Sequence, residues 1–247
     1  MTYPRFDTAR LPFRLARGAM LALALAIASL GTAGAPSAWA QRAPRAEQAA
    51  EPSAEASRAR PTAQRRLPAD STTDQAVELP NRTLHFKATA GSIPLNDGEG
   101  ALQAEVAYVA YVMGGETKRP VTFVFNGGPG AASAYLGLGA LGPWRLPLDR
   151  VAVSTPPALQ PNAETWLDFT DLVFIDPPGT GYSRIAASGD DARRRFWSVD
   201  GDAEALAVFI RKWIEQAGRQ ASVKFIAGES YGGFRAPKVA RKLQEQG

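Results

Sequence analysis

The stretch Val223-Lys224-Phe225-Ile226-Ala227-Gly228-Glu229-Ser230-Tyr231-Gly232 leaves this chain few folds to choose from. A strand-forming run passes without a spacer into a Gly-x-Ser-x-Gly turn, and a helix is predicted to start near Tyr231. The run Val223–Ala227 reads as buried on both faces, as central parallel strands are. Glycines suit the turn because it is tight and neighbouring backbone must come very close to the serine. The serine oxygen then projects at the carboxyl end of the strand. There the N-terminus of the following helix favours developing negative charge.

The preceding residues repeat the alternation. His85 to Ala90 alternates like a short strand. Ala104 to Met113 reads as a longer one, carrying Val106, Tyr108, Ala110 and Tyr111. Val121–Phe125 and Asp171–Asp176 are two further runs of the doubly buried kind. Over 203–217, Ala203, Leu206, Ala207, Ile210, Trp213, Ile214 and Ala217 fall on one helical stripe, with Asp200 or Asp202 placed to cap its start. Two antiparallel-looking strands followed by alternating strands and helices predict an α/β fold, a mixed sheet flanked by helices.

The first part of the chain has a different character. Arg5, Arg10, Arg14 and Arg17 form a positive region, followed by an apolar run from Ala19 to Leu30, short of the roughly 20 residues that span a bilayer. Small residues follow, and Ala38-Trp39-Ala40 offers a cleavage site. Residues 1–40 therefore read as a secretory signal cut after Ala40, and the protein as exported, periplasmic or extracellular, with no stable membrane insertion after cleavage. Residues 41–77 are mostly Ala, Arg, Glu, Pro and Ser and read as a disordered tether, unable to bury enough apolar surface to offset ordering entropy. Residues 78–247 read as the folded domain.

Composition excludes several chemistries. The 247 residues contain no cysteine, which removes disulfides, thiolate metal sites and a cysteine nucleophile. No metal or cofactor is expected. Most of the net charge of +4 comes from the leader; without it 24 basic residues face 23 acidic ones, so no nucleic-acid partner is indicated. Histidine occurs once, as His85 on an early strand, and reads as structural.

A second motif, Asn126-Gly127-Gly128-Pro129-Gly130, follows the strand Val121–Phe125 directly. An elbow serine works with main-chain N–H groups aimed at an oxyanion: one from the residue after the serine, one from the loop after an earlier strand. With Gly142-Pro143, the segment Phe174–Ser183 (FIDPPGTGYS) and Gly228–Gly233 (GESYGG), the chain resembles the serine carboxypeptidases of the α/β-hydrolase class over about residues 85–247. The resemblance implies that Ser230 is the nucleophile of an acyl-enzyme and that the N–H groups of Gly128 and Tyr231 form the oxyanion hole. It implies that Asn126, Gly127 and Glu229 hold the free C-terminal carboxylate of a peptide substrate. A glutamate beside a carboxylate requires one of the two to be protonated, which suits an acid optimum.

The chain departs from the family pattern in ways that matter. Ala140 stands where many members carry a second carboxylate-binding glutamate, so a weaker acid dependence is expected. Ala131 replaces a usual cysteine, and the Asp176–Ser183 loop is one residue shorter than the commonest form. The family's catalytic aspartate and histidine lie well downstream of the serine, beyond Gly247, so the chain is expected to be an N-terminal half truncated after the elbow. Two rival readings stand beside a carboxypeptidase: another α/β-hydrolase chemistry (esterase or acyltransferase), and a non-catalytic fragment without the triad Asp and His.

Overall fold

A computed structural model describes residues 67–114, 118–147 and 157–246. The expected secretory signal over 1–40, and the expected tether over 41–77 as far as residue 66, lie outside the described residues.

Strands β1 (Ser71–Leu79) and β2 (Arg82–Asn96) form an antiparallel hairpin across Pro80-Asn81. β2 returns into β3 (Leu102–Met113) through a turn in which the Asp97 carboxylate accepts from the amides of Glu99 and Ala101. β4 (Val121–Phe125) follows, then a single turn of helix, α1 (Ala134–Leu136), continuing as a π-helical turn over Gly137–Leu141. β5 (Trp144–Arg145) and β6 (Gln160–Pro161) pair in a small separate sheet. Then come β7 (Asp171–Ile175), β8 (Arg184–Ile185), α2 (Gly189–Phe196), α3 (Val199–Gln216), β9 (Lys224–Gly228) and α4 (Tyr231–Glu245).

The main sheet has the order β1-β2-β3-β7-β4-β9, with β8 joined to β3. β7, β4 and β9 run parallel, and β3 is antiparallel to β7. This is the mixed sheet flanked by helices that the sequence predicts. The parallel arrangement places the carboxyl ends of β4, β7 and β9 along one rim, where the loops carrying the candidate site emerge.

Alternation along the strands gives the sheet two apolar faces. One face places Val106, Phe123, Phe125 and Ile175 under Leu206, Phe209, Ile210 and Trp213 of α3. Each fully buried side chain of this size contributes about 1.5–3 kcal/mol. The other face gathers Val77, Phe86, Tyr111, Val124 and Phe174 with Leu167, under Leu136 and Leu141. Where the parallel strands begin, the fully buried Asp171 accepts from Arg119 Nε and from the Met113 amide, both at 3.0 Å. Its second oxygen lies 2.6 Å from Arg219 Nη2 as an ion pair off the hydrogen-bond direction.

The structure corrects three expectations. The tether does not extend to residue 77, because β1 begins at Ser71. The backbone of 71–79 is ordered by pairing with β2, while Val77 and Leu79 alone among its side chains are buried, so its apolar signal is faint. The run Val223–Ala227 is not buried on both faces. β9 is the last strand of the sheet among the described residues, and Val223 and Phe225 are 58% and 52% exposed. Helix α3 starts at Val199 under Ser198, whose side chain accepts from the Gly201 amide, so neither Asp200 nor Asp202 is the cap. Among the described residues no helix is long and apolar enough to cross a membrane.

Candidate active site

The pairing of β9 with β4 ends at Gly228 opposite Phe125, and α4 begins at Tyr231. Glu229 and Ser230 make the whole turn between them. Ser230 takes φ 56°, ψ −123° and is the one non-glycine residue with positive φ among the described residues. Such a conformation costs about 1–3 kcal/mol and persists only where its surroundings impose it. Here the Gly232 amide donates to Glu229 O at 2.7 Å and the Gly233 amide to Ser230 O at 2.9 Å. A Cβ on Gly228 would stand 2.1 Å from Gly232 O, so the strand and the helix start approach more closely than any side chain permits. The result is an exposed serine at the carboxyl end of β9.

The loop after β4 presses against this turn. A Cβ on Gly127 would lie 2.5 Å from the Tyr231 nitrogen and 2.8 Å from Glu229 O. Gly128 takes φ +103°, which turns the chain outward after that contact. The buried Asn126 side chain joins the two segments: its Nδ2 donates to Glu229 Oε2 at 3.2 Å, and its Oδ1 accepts from the Leu136 amide at 2.9 Å. The structure thus brings together all six residues that the resemblance singles out: Asn126, Gly127 and Gly128 on one loop, Glu229, Ser230 and Tyr231 on the other.

The supporting contacts of several residues escaped the sequence reading, although Asp176 and Ser183 stand in the FIDPPGTGYS motif. Asp176 accepts from the Ser133 amide at 2.9 Å with one oxygen and from the Tyr182 amide at 3.0 Å with the other. Ser133 Oγ donates to Ile175 O, and Ser183 Oγ donates to Asp176 O at 2.6 Å while accepting from the Ala107 amide at 2.7 Å. The Asp176–Ser183 loop is therefore tied to β3, β7 and the start of α1. Arg235 and Asp202, both buried, face each other with Nε donating to Oδ2 at 2.6 Å. Burial pushes the Asp202 carboxyl above the usual carboxylate range, against the opposing pull of the Arg235 guanidinium. The signal for this pair was a charged residue at the edge of the apolar α3 stripe, which the capping reading absorbed.

Other residues stay apart from the site. His85 is exposed on β2, four strand spacings from β9, about 19 Å across the sheet. It also sits at the opposite rim: Phe86 pairs with Met113 and Tyr111 with Leu172, beside the start of β7. The carbonyl of Ala140 accepts from Asn162 Nδ2 at 2.7 Å and its methyl offers nothing to a carboxylate. Trp213 packs edge-on against Phe123, 5.4 Å between ring centres. A cavity of about 230 Å3 opens beside Tyr231, walled by Pro129, Gly130, Pro177–Thr180 and Trp197. Among the described residues no cluster of three or more His, Asp or Glu side chains is placed to hold a metal ion.

Chemically, the site offers a hydroxyl on a strained turn, main-chain amides of a glycine loop packed beside it, and an amide–carboxylate pair within hydrogen-bond reach. Such an arrangement suits attack on a carbonyl whose oxygen charges up beside N–H donors.

Comparison with known proteins identifies the family to which the chain is similar. The sequence model of the family described as serine carboxypeptidase matches residues 81–247. The pheromone-processing carboxypeptidase KEX1 of Yarrowia lipolytica is 33% identical over 132 residues, covering 52% of this chain and 20% of that protein. Its namesake in Schizosaccharomyces pombe is 33% identical over 123 residues, covering 49% of this chain and 22% of that protein. The chain spans about a fifth of the length of these curated relatives. Among solved structures, the peroxisomal alpha-beta-hydrolase Lpx1 of Saccharomyces cerevisiae aligns over 69% of this chain and 39% of its own, with 14% identity and a TM-score of 0.33. Acetyl xylan esterase 1 of Thermoanaerobacterium sp. aligns over 70% and 49%, with 15% identity and a TM-score of 0.36.

Proposed function

The chain belongs to the serine carboxypeptidase family and has an α/β-hydrolase fold, and from that premise we propose that it supplies the nucleophile, oxyanion donors and carboxylate grip of a serine-type carboxypeptidase. The observation that carries the reading is the contact between the two loops: Asn126 bonded to Glu229, with Gly127 against the Tyr231 nitrogen, on either side of Ser230.

In this reading a peptide enters with its free C-terminal carboxylate at the Asn126 amide, the Gly127 N–H and Glu229. Glu229 is exposed, so a substrate can reach it from outside. Ser230 Oγ attacks the last peptide carbonyl, and the N–H groups of Gly128 and Tyr231 receive the oxyanion, aided by the N-terminus of α4. The C-terminal amino acid leaves with a proton, and water then cleaves the acyl ester. The hydroxyl proton requires a base. His85, the one histidine of this chain, does not serve, because it lies at the far rim of the sheet. A secretory location fits a peptidase of this kind and rests on residues 1–40.

The test is to express the chain and offer two blocked dipeptides, one with a free carboxylate and one amidated, beside a simple ester, with Ser230→Ala as control. Release of the C-terminal residue from the free acid alone supports the proposal. Ester turnover with no preference for a free carboxylate favours the esterase or acyltransferase reading. No turnover, together with no labelling of Ser230 by a fluorophosphonate, favours a non-catalytic chain.

A further inference from the structure

Arg235 sits one turn into α4 after Ser230 and is 3% exposed. A buried guanidinium carries a large desolvation cost unless its donors are used well. Here Nε donates to Asp202 on α3, and Nη1 donates to the main-chain oxygen of Asn126 at 2.8 Å. The guanidinium carbon also lies 4.9 Å from the centre of the Tyr231 ring and 5.5 Å from that of Phe125. One side chain therefore touches the elbow helix, the end of β4, the glycine loop and α3.

The Asn126 carbonyl is the decisive contact. The β4–β9 ladder ends at Phe125, so the Asn126 oxygen has passed the last sheet pairing. A peptide unit is planar and trans, which points its carbonyl and its N–H in opposite directions. Holding Asn126 O toward α4 therefore turns the Gly127 N–H away from α4, and it fixes the plane from which the Gly128 peptide continues. We infer that Arg235, anchored by Asp202, is a positioning residue that aims the Gly127 and Gly128 amides at the substrate carboxylate and the oxyanion. This rests on the carboxypeptidase reading for what the amides receive, but not for how they are held.

The pair differs in consequence from the Asp171–Arg119–Arg219 cluster, which joins the starts of the strands at the opposite rim. A purely structural ion pair there affects stability alone. Arg235 acts on the loop beside Ser230, so its replacement changes the geometry of folded molecules.

Two variants test this. Arg235→Lys keeps the charge, but one ammonium cannot reproduce the forked reach to both Asp202 and Asn126. Asp202→Asn keeps the shape and removes the counter-charge. In 15N–1H NMR spectra of the whole chain, both should displace or broaden the Gly127, Gly128 and Tyr231 amides while the amides of β2 and β3 hold. Where the wild-type chain hydrolyses a free-carboxylate dipeptide, Arg235→Lys should lose on the order of 10- to 100-fold in kcat/KM, with part of the loss in KM. Unmoved Gly127 and Gly128 amides in folded Arg235→Lys overturn the inference, whether or not the wild type is active. Absence of wild-type hydrolysis counts against the carboxypeptidase reading and leaves the NMR result to decide this one.

Discussion

Asn126 Nδ2 and Glu229 Oε2 stand 3.2 Å apart although 103 residues separate them. The contact exists because β4 and β9 are parallel neighbours whose pairing ends together, so both loops leave the sheet at one level. An amide that donates to a carboxylate while its oxygen is fixed by the Leu136 N–H has one orientation, and in the proposed function its second Nδ2 hydrogen is the one offered to a substrate carboxylate.

Asn126→Ala is therefore expected to weaken recognition of the free C-terminus. A hydrogen bond to a charged group contributes about 1.5–3 kcal/mol, so kcat/KM for a free-carboxylate dipeptide should fall roughly 10- to 150-fold. An ester without that carboxylate should lose far less. Equal losses on both substrates would show that Asn126 supports the loop and does not read the substrate.

Ser230 holds a backbone conformation that glycine adopts freely. Ser230→Gly should then be more stable than Ser230→Ala by about 1–2 kcal/mol, because both lose the hydroxyl and one alone relieves the strain. Urea midpoints of the two variants check this, and equal midpoints would mean the turn is unstrained. Gly228→Ala should act oppositely and more strongly, since its new methyl meets Gly232 O at 2.1 Å. Gly98→Ala, with open space around it, is the matched control.

The site was legible in the sequence to the extent that main-chain geometry defines it. Gly127, Gly128 and Gly228 are required by close backbone approach around Ser230, and such requirements leave contiguous motifs. Arg235 and Asp202 act through side chains that cross from one element to another, and no local pattern marks that role; Asp176 stands in the FIDPPGTGYS motif, but its contact with the Ser133 amide cannot be read from it. Asp202 was misread because an acidic residue near a helix start is a reasonable cap, whereas Ser198 holds that position. For the fold, periodicity identified the strands β3, β4 and β7 and the helix α3. It missed β1, whose order comes from hydrogen bonds to β2, and it overstated the burial of β9, since a run of apolar residues does not say how many neighbours its strand has.

Asp171 should be among the most sensitive positions outside the site. It is fully buried and faces Arg119 and Arg219, and removing it strands two guanidinium groups at the start of the parallel strands. Breaking a buried pair from one side costs about 3–5 kcal/mol. Asp171→Ala should lower the urea midpoint by a corresponding amount or prevent folding. Arg219→Met, which leaves Asp171 with Arg119 and the Met113 amide, should cost less. The reverse ranking would mean that Arg219, through its bond to Arg119 O at 2.7 Å, is the true anchor.

The last prediction concerns alkaline pH. Tyr108 Oη donates to Asp70 Oδ2 at 3.0 Å, and the same carboxylate accepts from the Ser92 amide, so the phenol pins the segment before β1 to β2 and β3. Burial first, and the neighbouring Asp70 carboxylate second, push the phenol well above its ordinary range. Folding therefore favours the protonated phenol. Its contribution is complete below the unfolded value of about 10 and is lost as pH rises from there toward the folded value. The stability difference between wild type and Tyr108→Phe should thus stay constant from pH 7 to 9 and shift against the wild type above about pH 10. Other tyrosines titrate in both proteins and cancel in the difference. A difference that stays flat through pH 11 would mean that Tyr108 ionises at the same pH in the folded and unfolded chains, and that its bond to Asp70 does not hold the proton.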